Sequence, residues 1–155
     1  MKKLLAALVV TTALIAPQVA MARAVTISGQ MATYRGPEAY FAIYVTDAAG
    51  TYQRTLYVAG TKTRYYRDLR TWARGVASVG RIDGITGASV GSGRTFSVSV
   101  EIADALVDAG YQIRIDSAVE HGQVFAADPT IPLARSSSGQ TFAGSGYVAA
   151  LTVDM

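Results

Sequence analysis

The sequence predicts a mostly β domain, an antiparallel sandwich with one short helix. Three observations point there. Short segments alternate apolar and polar residues with the period of two that a half-buried strand requires. Gly, Asp and Ser punctuate them at short intervals. Helical periodicity is confined to one stretch, so the strand–helix alternation of a parallel α/β fold is missing.

The first residues read as a targeting segment. Lys2 and Lys3 precede an apolar run, Leu4 to Ala16, broken only by Thr11 and Thr12. Pro17 ends the run, and Ala20-Met21-Ala22 places small residues at the two positions a signal peptidase reads. The run falls short of the roughly 20 apolar residues a spanning helix needs. A signal peptide over residues 1–22 is therefore expected, cut after Ala22 or, as the alternative, after Ala24. A single domain over residues 23–155 follows, exported to the periplasm with no membrane span after cleavage. No cysteine follows the run to carry a lipoprotein anchor.

Val25 to Ser28 opens the first strand. Tyr40 to Thr46 is the clearest, with Phe41, Ile43 and Val45 facing one side and Tyr40, Ala42, Tyr44 and Thr46 the other. Asp47-Ala48-Ala49-Gly50 is a turn, and Tyr52 to Ala59 returns as the second arm of a hairpin. From Thr63 to Gly75 the period changes. Tyr65, Leu69 and Trp72 fall at i, i+4 and i+7 among arginines, with Gly75 placed to close a short amphipathic helix. Val76 to Arg94 is a Gly- and Ser-rich loop. Strands resume at Thr95 to Glu101, Tyr111 to Ser117, Thr130 to Leu133 and Gly146 to Asp154.

Composition excludes several chemistries. Lys2 and Lys3 belong to the targeting segment, so residues from Arg23 onward hold 12 Lys and Arg against 11 Asp and Glu, a net charge of +1. That balance gives no footing for nucleic acid. The absence of Cys removes disulfides, iron–sulfur clusters, thiolate zinc and cysteine catalysis. Packing alone must hold the fold, which a domain of about 130 residues can achieve by burying roughly two-thirds of its unfolded surface.

Chemistry concentrates in Arg81 to Gly93. Gly87-Ala88-Ser89-Val90-Gly91 matches the nucleophile-elbow pattern, with Asp116 and His121 in chain order behind it, but an elbow needs a helix after its serine and a strand follows here. Phosphate-cradling glycine loops also lead into a helix. A third reading is covalent flavin attachment. Asp83-Gly84-Ile85-Thr86-Gly87-Ala88-Ser89 resembles the acceptor motif of periplasmic flavin transferases: Asp, two residues, Ser or Thr, Gly, Ala, then the acceptor Thr or Ser. The resemblance implies that Ser89 takes FMN through a phosphoester bond, framed by Asp83, Thr86, Gly87 and Ala88; Ser89 stands where Thr is usual. Gly87 and Ala88 leave the hydroxyl unshielded, and Gly84, Gly91 and Gly93 let the loop bend outward. The competing reading is a surface loop in which Thr86 and Ser89 bond only to nearby backbone.

Longer stretches carry a wider resemblance. Tyr40 to Asp47, Arg54 to Val58, Arg67 to Trp72, Asp83 to Ser89 and Glu120-His121-Gly122 follow the order of features in a predicted periplasmic family, domain of unknown function 2271. Ile102 to Gly110 lacks that family's Trp-Asp-Gly and Pro-rich turn. The family resembles immunoglobulin-like sandwiches and is associated with flavin transferases and membrane ferric-reductase-like proteins. The resemblance implies an immunoglobulin-like β-sandwich serving extracytosolic electron transfer or iron reduction. Its partners would be a flavin transferase and a membrane redox protein. The chain would be modified by an enzyme and would not itself be a catalyst. The alternative is a cofactor-free accessory module binding a ligand or protein in the envelope.

The remaining polar residues have simpler readings. His121, even with Glu120 and Asp116 beside it, is short of ligands for a transition-metal site and suits a cap or sheet edge. Asp104 and Asp108 lack the spacing of a calcium loop and read as solvated charges. Leu69 and Trp72 read as core, Tyr66 is left open, and the arginines at 64, 67, 70, 74 and 81 read as the wet face of the helix.

Overall fold

The computed structural model describes residues 20–155, so the expected targeting residues up to position 19 lie outside it. The strands are β1 (Ala22–Met31), β2 (Tyr40–Thr46), β3 (Tyr52–Ala59), β4 (Ile85–Gly87), β5 (Thr95–Ala103), β6 (Gln112–Ala118), β7 (Val124–Phe125), β8 (Thr130–Pro132), β9 (Thr141–Ala143) and β10 (Val148–Asp154). A 3-10 helix, Thr63–Asp68, leads into the α-helix α1 (Arg70–Val79). The mostly β expectation holds, and the bounds of β2 and β3 agree with the alternation in the sequence.

One sheet has the order β5-β1-β10-β9, and the other β4-β3-β2-β6-β7 with β8 also on β6. Both sheets supply one apolar core. Val25 and Ile27 of β1, Val100 and Ile102 of β5 and Leu151 and Val153 of β10 share it with Phe41, Ile43 and Val45 of β2 and Ile113 and Ile115 of β6. The expectation of purely antiparallel pairing needs correction at one edge. β4 runs parallel to β3, pairing Tyr57 with Ile85, Val58 with Thr86 and Ala59 with Gly87. The chain between them is the helical crossover that a parallel pair requires.

That crossover covers the outer face of the second sheet. Leu69 and Trp72 pack with Tyr40, Ala42, Tyr44, Val58 and Ala118, so β2 is buried on both faces. Trp72 donates its ring N–H to Thr55 Oγ1 at 2.9 Å. No side chain caps α1 from its own sequence; Asp116 of β6 does so from below. One carboxylate oxygen, Oδ2, accepts from the backbone N–H groups of Thr71 (2.8 Å) and Trp72 (2.9 Å). The other, Oδ1, accepts from the Tyr44 hydroxyl (2.8 Å) and the Ala127 N–H (2.9 Å). A carboxylate under the first turn also meets the positive end of the helix dipole.

The helix runs past its expected end. Gly75 does not cap it but sits inside it, where a Cβ would come within 2.4 Å of Tyr52 Cβ, so glycine lets the helix lie directly on β3. The cap is Gly80, at φ 76° in the left-handed region with its N–H donating to Val76 O. Asp104 and Asp108 are not free loop charges either, since they pair with Arg23 and Arg135.

Two phenols under the helix set a pH limit. Burial, then the Asp116 carboxylate, pushes the Tyr44 hydroxyl up, and burial with the Asp68 hydrogen bond pushes Tyr40 up. Both groups keep their protons more tightly folded than unfolded. Their stabilisation is complete below the ordinary tyrosine value of about 10 and is lost as pH climbs above it, because the unfolded phenols ionise first. Urea midpoints are expected to fall above about pH 10. Tyr44→Phe should make that fall shallower while lowering the neutral-pH midpoint; an unchanged alkaline slope would refute this assignment.

Candidate functional site

The Asp83–Ser89 segment is stitched to the sheet edge, which corrects the expected outward-bending loop. Asp83 Oδ1 accepts the Thr55 N–H at 3.0 Å, at the bulge where β3 loses register with β2. Gly84 lies against the Leu56 backbone, where a Cβ would stand 3.0 Å from its carbonyl. Ile85, Thr86 and Gly87 form β4, and Gly87 O accepts the Gly60 N–H at 2.8 Å. Just past Ser89, Val90 exchanges two backbone bonds with Ala39. A strand edge with open backbone groups takes up such a segment readily. The glycines therefore serve close packing. A Cβ on Gly87 would meet the Tyr57 hydroxyl at 2.0 Å.

Within this frame Asp83, Thr86 and Ala88 are exposed, Gly87 is half-buried, and Ser89 is half-buried on the wall of a surface cleft. The cleft measures about 390 Å³, and its other walls include Glu38, Tyr40, Gly60, Lys62, Tyr65 and Glu120. Tyr40 and Tyr65 stack with ring centroids 5.3 Å apart and planes 19° from parallel. Tyr40 donates to Asp68 at 2.9 Å, and Tyr65 donates to Glu120. That donation holds the Glu120 carboxyl below its usual range. Lys62 and Arg64 lie 5.9 and 4.8 Å from the centre of the Tyr65 ring, within cation–π reach. The cleft thus joins Ser89 and Thr61, an aromatic pair, two carboxylates and a lysine.

Tyr66 turns away from it, donating to Gly60 O at 2.8 Å and meeting Trp72 edge-on. The serine–aspartate–histidine arrangement does not assemble. Asp116 is fully buried beneath α1 with both oxygens taken by other donors, while His121 projects from an exposed turn closed by the Gly122 N–H to Val119 O bond. A strand does precede Ser89, but β5 follows and no helix does. Among the described residues, no cluster of three or more His, Cys, Asp or Glu side chains could hold a metal ion.

Sequence reasoning placed Ser89 and its motif but missed the walls around it. Glu38 with Tyr40, Lys62, and Glu120 come from three separate places in the chain. The one local hint was an outward-facing tyrosine, Tyr40, opening the most apolar strand just beyond Pro37-Glu38-Ala39.

Comparison with curated proteins finds no match, and comparison with solved structures finds none either. A family model described as predicted periplasmic protein (DUF2271) matches residues 22–150. Among the described residues no helix is long and apolar enough to cross a membrane. The matched stretch takes in every strand but the end of β10 and every wall of the cleft, and the chain belongs to this family of predicted periplasmic proteins.

Proposed function

We propose that this periplasmic protein carries one FMN on the Ser89 hydroxyl and serves extracytosolic electron transfer or iron reduction. The observation that carries this reading is the placement of Ser89: the last residue of an Asp83–Ser89 acceptor-like motif stands part-exposed on the wall of a cleft. The residues present fit such a group. A volume of about 390 Å³ is in the range of small-molecule sites. Ser89 Oγ would hold the phosphate, Lys62 would offset its charge, and the Tyr40–Tyr65 pair offers an aromatic wall for a flat ring system. A bound flavin supplies reversible electron transfer. Attachment forms a bond from Ser89 Oγ to phosphorus, expels the leaving group of the phosphoryl donor, and gives the serine proton to a base of the transferase. The two facing sheets with their shared core suit an immunoglobulin-like scaffold with a parallel edge added by β4.

The second reading, a cofactor-free binding module, draws on the same cleft, whose Glu38 and Glu120 suit a cationic ligand. One experiment separates the two. The exported protein made alongside a flavin transferase is expected to gain the mass of one FMN and a yellow absorbance. Ser89→Ala should gain neither, and Ser89→Thr should keep both. A colourless wild-type protein, or added mass that persists in Ser89→Ala, overturns the carrier reading.

A further inference from the structure

β5 is an edge strand whose outer backbone groups lie open. Its register with β1 is continuous from Thr95 to Ala103. Two flanking bonds extend that ladder: Met31 N–H donates to Arg94 O at 2.8 Å, and Asp104 N–H donates to Met21 O at 2.9 Å. Hydrogen-bonded and non-hydrogen-bonded pairs alternate along an antiparallel ladder, so Phe96, Val98, Val100 and Ile102 turn their backbone groups to β1. Thr95, Ser97, Ser99 and Glu101 turn theirs the other way. The close hydroxyl contacts of Ser28 with Ser97 (3.1 Å) and Thr26 with Ser99 (3.2 Å) are those of non-hydrogen-bonded pairs. Among the described residues no strand takes up the outer side of β5. Glu101 O alone is engaged there, by Arg54 Nη1 at 3.4 Å.

The sandwich is also one strand short on this side. The first sheet stops at β5, beside β3, while the second sheet continues to β4. Ile85 of β4 pairs with Tyr57, whose ring packs against Phe41 of the shared core. Ile85 therefore lies on the face turned toward the first sheet, yet it is 53 % exposed. Tyr57, Phe96 and Val98 pack against the core and are still only half-buried. A strand added along the open side of β5 would lie over β4 and cover all four.

The strand that fits is β5 of a second copy. Thr95 to Ala103 holds no Pro, no Lys, no bulge and no inward-pointing charge, the devices that keep an edge single. An edge without them meets the same edge on every other copy. Antiparallel pairing about a two-fold axis at Val98 sets Ser97 opposite Ser99 of the second copy, open backbone against open backbone. It also sets Phe96 opposite Val100 and Thr95 opposite Glu101, so apolar side chains meet on the core side and small polar ones outside. The two Glu101 carboxylates then stand roughly 20 Å apart. The other edge segments, β4, β7, β8 and β9, are two or three residues long and offer no such length. We propose that the protein forms a two-fold dimer through β5, joining the two four-stranded sheets into one. None of these residues lines the cleft with Ser89, so the dimer does not depend on flavin.

Sedimentation equilibrium of the exported protein, without flavin, tests this. A dimer is expected. Ser97→Pro should raise its dissociation constant about a hundredfold, because it removes two of the four central backbone bonds and sets a ring in the seam. The lost N–H faces the open side, where Pro is tolerated, so the pairing with β1 should survive. Ile85→Ser should raise the constant about tenfold. A second measurement does not rely on the proline variant folding. The chain has no Cys, so a single introduced one reports without background. Val98→Cys should give a covalent dimer on mild oxidation, since a non-hydrogen-bonded pair sets its Cα atoms about 4.5 Å apart, within disulfide reach. Glu101→Cys should stay unlinked. A single-chain mass at every concentration, a folded Ser97→Pro that dimerises like wild type, or Glu101→Cys linking where Val98→Cys does not each overturns the proposal.

Discussion

Asp116→Ala is expected to lower folding stability by about 4 kcal/mol, read as a shift of the urea midpoint at neutral pH. Asp116 is fully buried and its carboxylate accepts from four donors: the N–H groups of Thr71, Trp72 and Ala127 and the hydroxyl of Tyr44. Hydrogen bonds to a charged group contribute about 1.5–3 kcal/mol each, and a buried donor left without a partner costs about 1–3 kcal/mol. The four are not additive, because a loosened helix end would admit water to Thr71 and Trp72 together. Even so, about 4 kcal/mol is a large part of the 5–15 kcal/mol that stabilises an ordinary domain. Asp116→Asn should cost about half as much, because its amide keeps one acceptor and orphans only the donors facing the new NH₂ group. If Asp116→Ala melted within 1 kcal/mol of wild type, the carboxylate could not be what seats α1 on the sheet.

Asp116 also shows where sequence reading stops. In the strand Tyr111 to Ser117 it looks like an ordinary outward-facing acid, because period-two alternation reports which face a side chain takes and not what covers that face. Its burial comes from α1, whose Trp72 lies 44 positions earlier. The two faces of β2 were legible, since Phe41, Ile43 and Val45 separate cleanly from Tyr40, Ala42 and Tyr44. Leu69 and Trp72 were legible as the inner stripe of the helix. The end of that helix was not. Gly75 and Gly80 are both plausible stops by composition, and only the approach of Tyr52 distinguishes a packing glycine from a capping one. β4 gave no warning either: three residues are too few for a period, and their parallel pairing depends on the free edge of β3. In the cleft, Ser89 could be found because its neighbours in sequence form a motif. Tyr40, Gly60, Lys62 and Glu120 could not, because folding alone makes them neighbours.

Gly60→Ala is expected to cost about 3 kcal/mol and to disturb the site at the same time. Gly60 has φ 108°, outside the range of L side chains, and an added Cβ would stand 2.9 Å from Tyr40 Cβ and 3.3 Å from Ser89 Oγ. Its backbone cannot easily give way. The N–H is tied to Gly87 O and the carbonyl to the Tyr66 hydroxyl, each at 2.8 Å. Tyr40 Cβ belongs to a strand paired on both sides and does not yield like the tip of a long side chain. Backbone strain of about 1–3 kcal/mol and overpacking of about 1–3 kcal/mol therefore act together. Gly36→Ala separates them. Gly36 has φ 138° with nothing within 4 Å of its added Cβ, so it reports strain alone and should cost about 1 kcal/mol. The excess at Gly60 measures how tightly Tyr40 and Ser89 close the cleft. On the carrier reading, Gly60→Ala should also slow flavin loading of Ser89 in protein that remains folded, and Gly36→Ala should load like wild type. Equal stability losses in the two variants would mean that the wall between Gly60, Tyr40 and Ser89 has room to spare, and Ser89 would then not be held in one place for a second enzyme to reach.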